Sequence, residues 1–596
     1  MNANTAVPPA SDTIISSSAL DLLSEPVQRD SIGNTDQFLH LGYGVIGRTV
    51  STKNEPNTSS TFRFWTADRS KTRPAQGGDG GPPPEGSLEI GNIVAARSDD
   101  GTDVTFGTIT EMRSYSDVDS FIADYLSHNF GDARTEIPTE VAEVVVVTCT
   151  VMRNVSGKTR PLGRSHAFFP SALGIQFAFG IVDASGKSVY SGAPIPLGVF
   201  QNGDGTVAPV DVDEDFLIGP EGAHLNVSGI SGLASKTSAT EFILKSLLTH
   251  TRKRVAVVMV NVKSKDLLYV DQPNPQLSAH EWSLNAYKAL GIPVDPFTTA
   301  RFFAPADPHD PKGHQSQRVL PTERFTWDLS QITNSIPTLF ERTDWDDKME
   351  GLWLRIREEI EHGGLHTYAR MLAWLHQQID QALQNNNQWP LGHHIGTWHK
   401  MRARLQRFPQ SFSGLIQTAG QGQDIPWTEL NTGDVFVIDI EMLNDAGKRL
   451  VFGRAISKIA KLLSGQQIPV DTVIVFVDEL NKFAPSRGES SPLKDRLVNI
   501  TARGRSIGLV LFGAEQFASS VERDVVENSS TYLFGRTQTN ELRSPNYAAL
   551  SDEIKTKLTT LAQGQLLANH AKFPQPIFLR FPFPPCLPGD KFTRGK

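Results

Sequence analysis

Two rhythms of apolar residues divide this chain. From Gly42 to about Pro209, runs rich in Val, Ile, Thr and Phe (VIGRTV, IGNIVAARSDDGTDVTFGTITEM, EVAEVVVVTCTVM and IQFAFGIVDASGKSVY) are separated by Asp-Gly and Ser-Gly turn signals. That composition suits strands joined by tight turns and predicts a β-barrel domain over 36–215. Within it, Arg69–Gly86 (RSKTRPAQGGDGGPPPEG) is too rich in Gly and Pro for a central strand and reads as a surface loop. After Ile218, short apolar runs alternate with helical stretches, as in a parallel α/β sheet. The expected strands are His224–Val227, Val255–Val260, Val435–Ile440, Val473–Val477, Gly508–Phe512 and Tyr532–Phe534. Between the second and third of these lie a Pro/Asp-rich stretch (FAPADPHDPKGHQ) and helical text over Thr333–Asn385 and Thr397–Phe408. They predict a helical insertion over about 275–430 within a core spanning 216–585. Residues 1–35 are polar and aperiodic and read as a disordered arm. Residues 586–596 read as a tail, after the aromatic-rich FPQPIFLRFPFPP, which suggests a last strand and an extended docking segment. No fixed-period repeat is present.

Composition narrows the class. With 39% hydrophobic and 20% charged residues among 596, the chain is globular and long enough for three or four domains. No window reaches 18 uninterrupted apolar residues, so no membrane span is expected. The first basic residue is Arg29 and no apolar leader follows Met1, so a secretory signal is not supported and a cytoplasmic location is expected. Two cysteines, Cys149 and Cys586, exclude a disulfide framework. A net charge of −8 argues against a surface that coats nucleic acid generally, but not against a basic channel inside an acidic body.

Chemistry concentrates at three places. HLNVSGISGLASKTSATEFILKSLL (His224–Leu248) reads as strand, Gly/Ser loop and helix, with Ala239, Phe242, Ile243 and Leu247 at helical spacing. Consecutive backbone N–H groups and a helix N-terminus can surround phosphate oxygens, a Lys adds positive charge, and the next hydroxyl can bind Mg²⁺. Gly229, Ser231, Gly232, Ala234, Ser235, Lys236, Thr237 and Ser238 fill this loop. The usual G-x-x-x-x-G-K-[ST] spacing is altered: Ser235 replaces the last Gly, and Gly229 lies seven residues before Lys236. Downstream, DTVIVFVDELNKFAP ends an apolar strand on Asp478 and Glu479, which places two carboxylates at the edge where open α/β sheets bind ligands. Asp478 suits the Mg²⁺ shell with Thr237, and Glu479 suits a general base. LKDRLVNITARGRSIGLVLFGAEQ follows, a helix with Leu493, Leu497 and Ile500 on one face and then a strand ending near Gln516. Gln516 can sense a terminal phosphate or orient water. Arg503 or Arg505 is either an arginine finger toward a neighbouring subunit or a solvated helix end, and Arg536 is a further candidate.

Weaker signals are six histidines (His362, His366, His376, His393, His394 and His399) without a carboxylate or thiol set to complete a metal site, and two basic runs, TRKR at 251–254 and MRARLQR at 401–407. Each run is either a DNA-facing surface or a solvated helix face.

As a set, SGISGLASKTS, VNVKSKDLLYVD, GDVFVIDIEML, VIVFVDELNKFAP and RGRSIGLVLFGAEQ resemble the HerA family of ring-forming DNA translocase ATPases, relatives of FtsK-type motors. The resemblance covers nearly the whole chain after about Gly42. It implies a RecA-like P-loop NTPase core preceded by a β-barrel, and use of ATP with Mg²⁺. It also implies a homohexamer threading double-stranded DNA through a central channel, often with a partner nuclease or defence effector. Lys236, Thr237, Asp478, Glu479 and Gln516 match the family's catalytic positions. The expected function is therefore a translocase or helicase. The alternative, favoured by Ser235, is a ring-shaped scaffold whose nucleotide binding licenses an effector nuclease or NAD-consuming enzyme.

Overall fold

The computed structural model describes residues 35–66, 88–127, 130, 143–230, 236–310, 312–340, 344–362, 364–407, 412–417, 422–488 and 491–589. The expected arm (apart from residue 35), the loop at 69–86 and residues 590–596 lie outside the described residues.

Six antiparallel strands, β1 (Val45–Val50), β2 (Thr61–Thr66), β3 (Ile93–Ser98), β4 (Val104–Ser116), β5 (Glu143–Asn154) and β6 (Ser165–Phe168), close into a barrel in the order β1-β2-β5-β4-β3-β6. Alternation along the strands points Phe62, Phe64, Val94, Ala96, Ile109, Val147 and Cys149 inward as the barrel core. The opposite faces of β3 and β4, including Ile93, Ala95, Val104 and Phe106, join the core of the larger domain.

The sequence-based boundary at 215 is corrected here. β7 (Pro194–Gln201) and β8 (Val207–Asp213) are not barrel strands, because β7 pairs with β18 of the large sheet. The strand-like run around IQFAFG is also corrected, since Ala172–Phe179 is a helix. Ser171 caps it by accepting a hydrogen bond from the Gly174 N–H, and Gly180 ends it at φ 79°, a left-handed conformation that suits glycine. An apolar run buried all round cannot be assigned to strand or helix by periodicity, and here the caps decide.

The second sheet has 12 strands. β9 (Leu225–Ser228), β10 (Val255–Asn261), β11 (Ala300–Pro305), β12 (Glu323–Phe325), β13 (Val435–Asp439), β14 (Thr472–Asp478), β15 (Leu509–Glu515) and β16 (Thr531–Phe534) form a parallel block in the order β12-β11-β13-β10-β14-β15-β9-β16. β17 (Gln565–His570), β18 (Ile577–Arg580), β7 and β8 extend it antiparallel. The parallel strands are apolar on both faces because both are covered. Val257, Met259, Ile474 and Phe476 face one core with the helix Lys236–His250. Val258, Val260, Val475 and Val477 face the other, with the helices Asp445–Ser464 and Pro492–Arg503.

β11 and β12 lie inside the stretch expected to be helical, so the insertion over 275–430 is only partly helical. Its helical part is the bundle Asp347–His362, Tyr368–Gln384 and Ile395–Leu405, centred on Trp353, Tyr368 and Trp398. The expected tail boundary also moves. Buried Cys586 bridges to Pro273 and the Leu587 N–H donates to the Gln272 carbonyl at 2.9 Å, so the chain stays docked beyond 586.

Trp353 is fully buried and its indole N–H donates to the Thr333 carbonyl at 3.2 Å. Trp353→Ala should destabilise the chain by about 3–5 kcal/mol, read as a lowered urea midpoint, with near-ultraviolet dichroism reporting loss of the bundle.

Candidate functional site

β10, β14 and β15 are apolar along most of their length, so the polar chemistry they carry sits at their ends. β15 lies between β9 and β14. The loop after β9 and the acidic end of β14 are thus separated by one strand, which leaves room for a ligand above β15. Gly229 leaves β9 at φ 150°, a conformation that disfavours side chains. Its N–H donates to the Glu515 carbonyl at 3.2 Å, and the Ile230 N–H donates to the Arg536 carbonyl at 2.9 Å, so both neighbouring strands brace the start of the loop. Ser231, Gly232, Ala234 and Ser235 lie outside the described residues. The helix Lys236–His250 begins immediately afterwards.

Lys236 is buried, and its ammonium donates to the Gly229 carbonyl at 3.0 Å. Burial pulls its pKa down, while Asp478 is the main opposing influence. The Thr237 hydroxyl lies 3.5 Å from Asp478 Oδ2, so residues 241 positions apart meet at one point. Burial raises the Asp478 carboxyl, against the pull of Lys236. Ser238 is half-buried on the same first helical turn.

Glu479 occupies the left-handed region at φ 61°, ψ 51°, a conformation that costs a non-glycine residue on the order of 1 kcal/mol. Its carboxylate is held by two lysines: Lys263 Nζ lies 3.0 Å from Oε1 and Lys482 Nζ 2.6 Å from Oε2. Burial works against ionisation, but Lys482 and Lys263 outweigh it and hold the carboxyl below its ordinary range. Lys263 follows the end of β10, which pairs with β14. A search for polar residues at predicted strand ends, the rule that singled out Asp478 and Glu479, would also have found Lys263. Lys482 carried no separate signal.

The remaining candidates separate. Gln516 is exposed, and the group that enters the site from β15 is its neighbour Glu515. Glu515 is fully buried and its carboxyl is pushed up to about 8 by burial, with Asn226 and Lys236 acting in the opposite direction. Glu515 is the last residue of β15, a strand buried on both faces, whereas Gln516 stands just beyond the strand end. Arg536 follows β16 on the same edge as the loop. Arg503 and Arg505 precede β15, at the other end of a seven-residue strand, about 20 Å away. The chain therefore does not bring them to Lys236. Arg505 donates to the Glu221 carbonyl at 2.9 Å. The run at 251–254 lies on that far edge too, where Lys253 pairs with Asp215 at 2.8 Å and Arg254 with Asp471 at 2.6 Å.

Strand order defines an α/β protein in which a 12-stranded mixed sheet accompanies a closed six-stranded β-barrel. No family model matches the chain, and no curated protein matches it. Among solved structures, VirB4 of Thermoanaerobacter pseudethanolicus is 14% identical, with a TM-score of 0.41 over 66% of this chain and 98% of that one. The bacterial conjugative coupling protein TrwBdeltaN70 is 14% identical, with a TM-score of 0.40 over 63% of this chain and 88% of that one. The genome packaging NTPase B204 from Sulfolobus turreted icosahedral virus 2, in complex with ATP-gammaS, is 17% identical, with a TM-score of 0.20 over 25% of this chain and 68% of that one. Among the described residues, no helix is long and apolar enough to cross a membrane.

Glu515 makes the pH dependence testable. Its carboxyl is protonated in the folded protein and ionised in the unfolded chain between about 4.5 and about 8. The folded state binds more protons there, so stability falls as pH rises through that window. Glu515→Gln should flatten this slope and raise the melting temperature more at pH 8 than at pH 5, measured by calorimetry without nucleotide.

Proposed function

We propose that the chain is an ATPase of the HerA/FtsK type that assembles as a ring, hydrolyses ATP between subunits and moves double-stranded DNA. The observation that carries this reading is the meeting of Thr237 and Asp478, with Lys236 behind them, across a sheet in which one strand separates the phosphate loop from the acidic strand. A buried ammonium beside a hydroxyl–carboxylate pair at a helix N-terminus suits a nucleotide polyphosphate with its divalent cation.

Thr237 and Asp478 would hold Mg²⁺, which when bound supplies neutralisation of phosphate charge. Gly229, Ser231, Gly232, Ala234, Ser235 and Ser238 cradle phosphate oxygens with Lys236. Glu479 accepts the proton of the attacking water, and Gln516, exposed beyond the end of β15, stays outside that step. Arg536 acts from the subunit's own edge. Arg503 and Arg505, on the opposite edge, would as arginine fingers serve a neighbouring subunit's nucleotide, the other reading of them being a solvated helix end. A hexamer with DNA in its central channel and a partner nuclease or defence effector completes the assignment, which rests on the family resemblance. The alternative is an assembly scaffold with little translocation, and the lysine clamp on Glu479 favours it because the clamp ties up the carboxylate needed as base.

Steady-state ATP turnover with and without linear duplex DNA, alongside the mass of the assembly, separates the two readings. For the motor, DNA should raise turnover and chelating Mg²⁺ should abolish it, while Lys236→Ala and Glu479→Gln should each lower it by about 100-fold or more. Nucleotide-dependent assembly with no measurable turnover would establish the scaffold.

A further inference from the structure

The mechanism above leaves Lys263 without a role, although it lies at the site. It belongs to the turn that follows β10, and the backbone of that turn is tied down. Asn261 Nδ2 donates to the Ser264 carbonyl at 3.0 Å and to Asp439 Oδ1 at 2.8 Å, Ser264 sits at φ 49°, and Lys448 Nζ donates to the Val262 carbonyl at 3.2 Å. A half-exposed side chain thus springs from a fixed base. Its ammonium is close enough to the Lys236 ammonium to disfavour that charge, and close enough to Asp478 to be favoured by it. Two cations therefore lie near the Thr237–Asp478 contact, buried Lys236 and half-exposed Lys263.

We propose that Lys263 is the residue by which this site distinguishes a nucleoside triphosphate from a diphosphate: it leaves Glu479 for the terminal phosphate, and in doing so frees the carboxylate that it holds at rest. This rests on the nucleotide-site reading above. Glu479 keeps its other partner, Lys482, on its own turn, so only the link between β10 and β14 is exchanged. The exchange substitutes one charge-assisted hydrogen bond for another at the same ammonium. A diphosphate, lacking the terminal group, leaves the Lys263–Glu479 pair intact. Lys263 is a positioning residue with respect to Glu479, and it contacts substrate only in the triphosphate state.

The test is the affinity of the full-length protein for Mg²⁺ with ATPγS and with ADP, measured by calorimetry for the wild type, Lys263→Met, Lys263→Arg, Glu479→Gln, Lys236→Ala and Lys263→Met/Glu479→Gln. Lys263→Met should lower the preference for ATPγS over ADP by about tenfold or more while leaving ADP affinity and the melting temperature close to wild type. Lys263→Arg should keep most of the preference. Glu479→Gln releases the lysine and should tighten ATPγS binding, and that gain should vanish in the double variant. Equal losses for both nucleotides in Lys263→Met, or a Glu479→Gln gain that survives in the double variant, would overturn the inference and leave only a general charge effect. If the wild type binds both nucleotides and Lys236→Ala removes both, the site stands whatever Lys263 does. If the wild type binds neither, the nucleotide-site reading fails and this inference with it.

Discussion

The placement of β15 between β9 and β14 is the constraint on which the rest depends. Because those strands run parallel and are buried on both faces, a polar group along them costs desolvation unless it is partnered. The chain's chemistry therefore appears where the strands end. The intervening strand sets β9 and β14 two strand spacings apart, and the helix start and the end of β14 close that gap to the observed 3.5 Å between Thr237 and Asp478.

Charge balance follows from that crowding. Asp478, Glu479 and Glu515 converge on one edge with Lys236, Lys263 and Lys482. The environments split the acids: Lys482 and Lys263 keep Glu479 ionised, whereas burial raises Asp478 and Glu515. Neighbouring carboxylates are thereby prepared for different roles without any change of residue type. The left-handed backbone at Glu479 belongs to the same arrangement, because it turns the chain so that consecutive carboxylates face different partners.

The outer parts of the molecule serve this edge indirectly. β7 and β8 leave the barrel's neighbourhood to extend the large sheet, and the outer faces of β3 and β4 share a core with it, so barrel and core are joined by packing as well as by chain. The bundle formed by Asp347–His362, Tyr368–Gln384 and Ile395–Leu405 covers the opposite face, with Trp353 and Trp398 at its centre. Its six histidines are exposed or half-buried and scattered over separate helices and turns, and among the described residues none belongs to a group of three or more His, Cys, Asp or Glu that could hold a metal ion.

How much was legible in the sequence varied with the range of the interactions involved. Apolar runs bounded by turn residues located six of the eight strands of the parallel block to within three residues at each end, because short β-branched runs between turn signals carry their own composition. Lys236, Thr237, Asp478 and Glu479 were legible for the same reason, each standing where an apolar run stops or a helix starts. Contacts between distant segments were not. IQFAFG reads as strand until Ser171 and Gly180 are seen to cap it, and β11, running into Pro/Asp-rich text, and three-residue β12 show themselves only when β11 pairs with β13 and β12 with β11. Which of Glu515 and Gln516 is buried at the site depends on where β15 ends, and the grip of Lys263 on Glu479 depends on β10 lying beside β14. Local composition determined which residues carry chemistry. The lateral order of the strands, set by burial of both sheet faces, decided which of those residues meet.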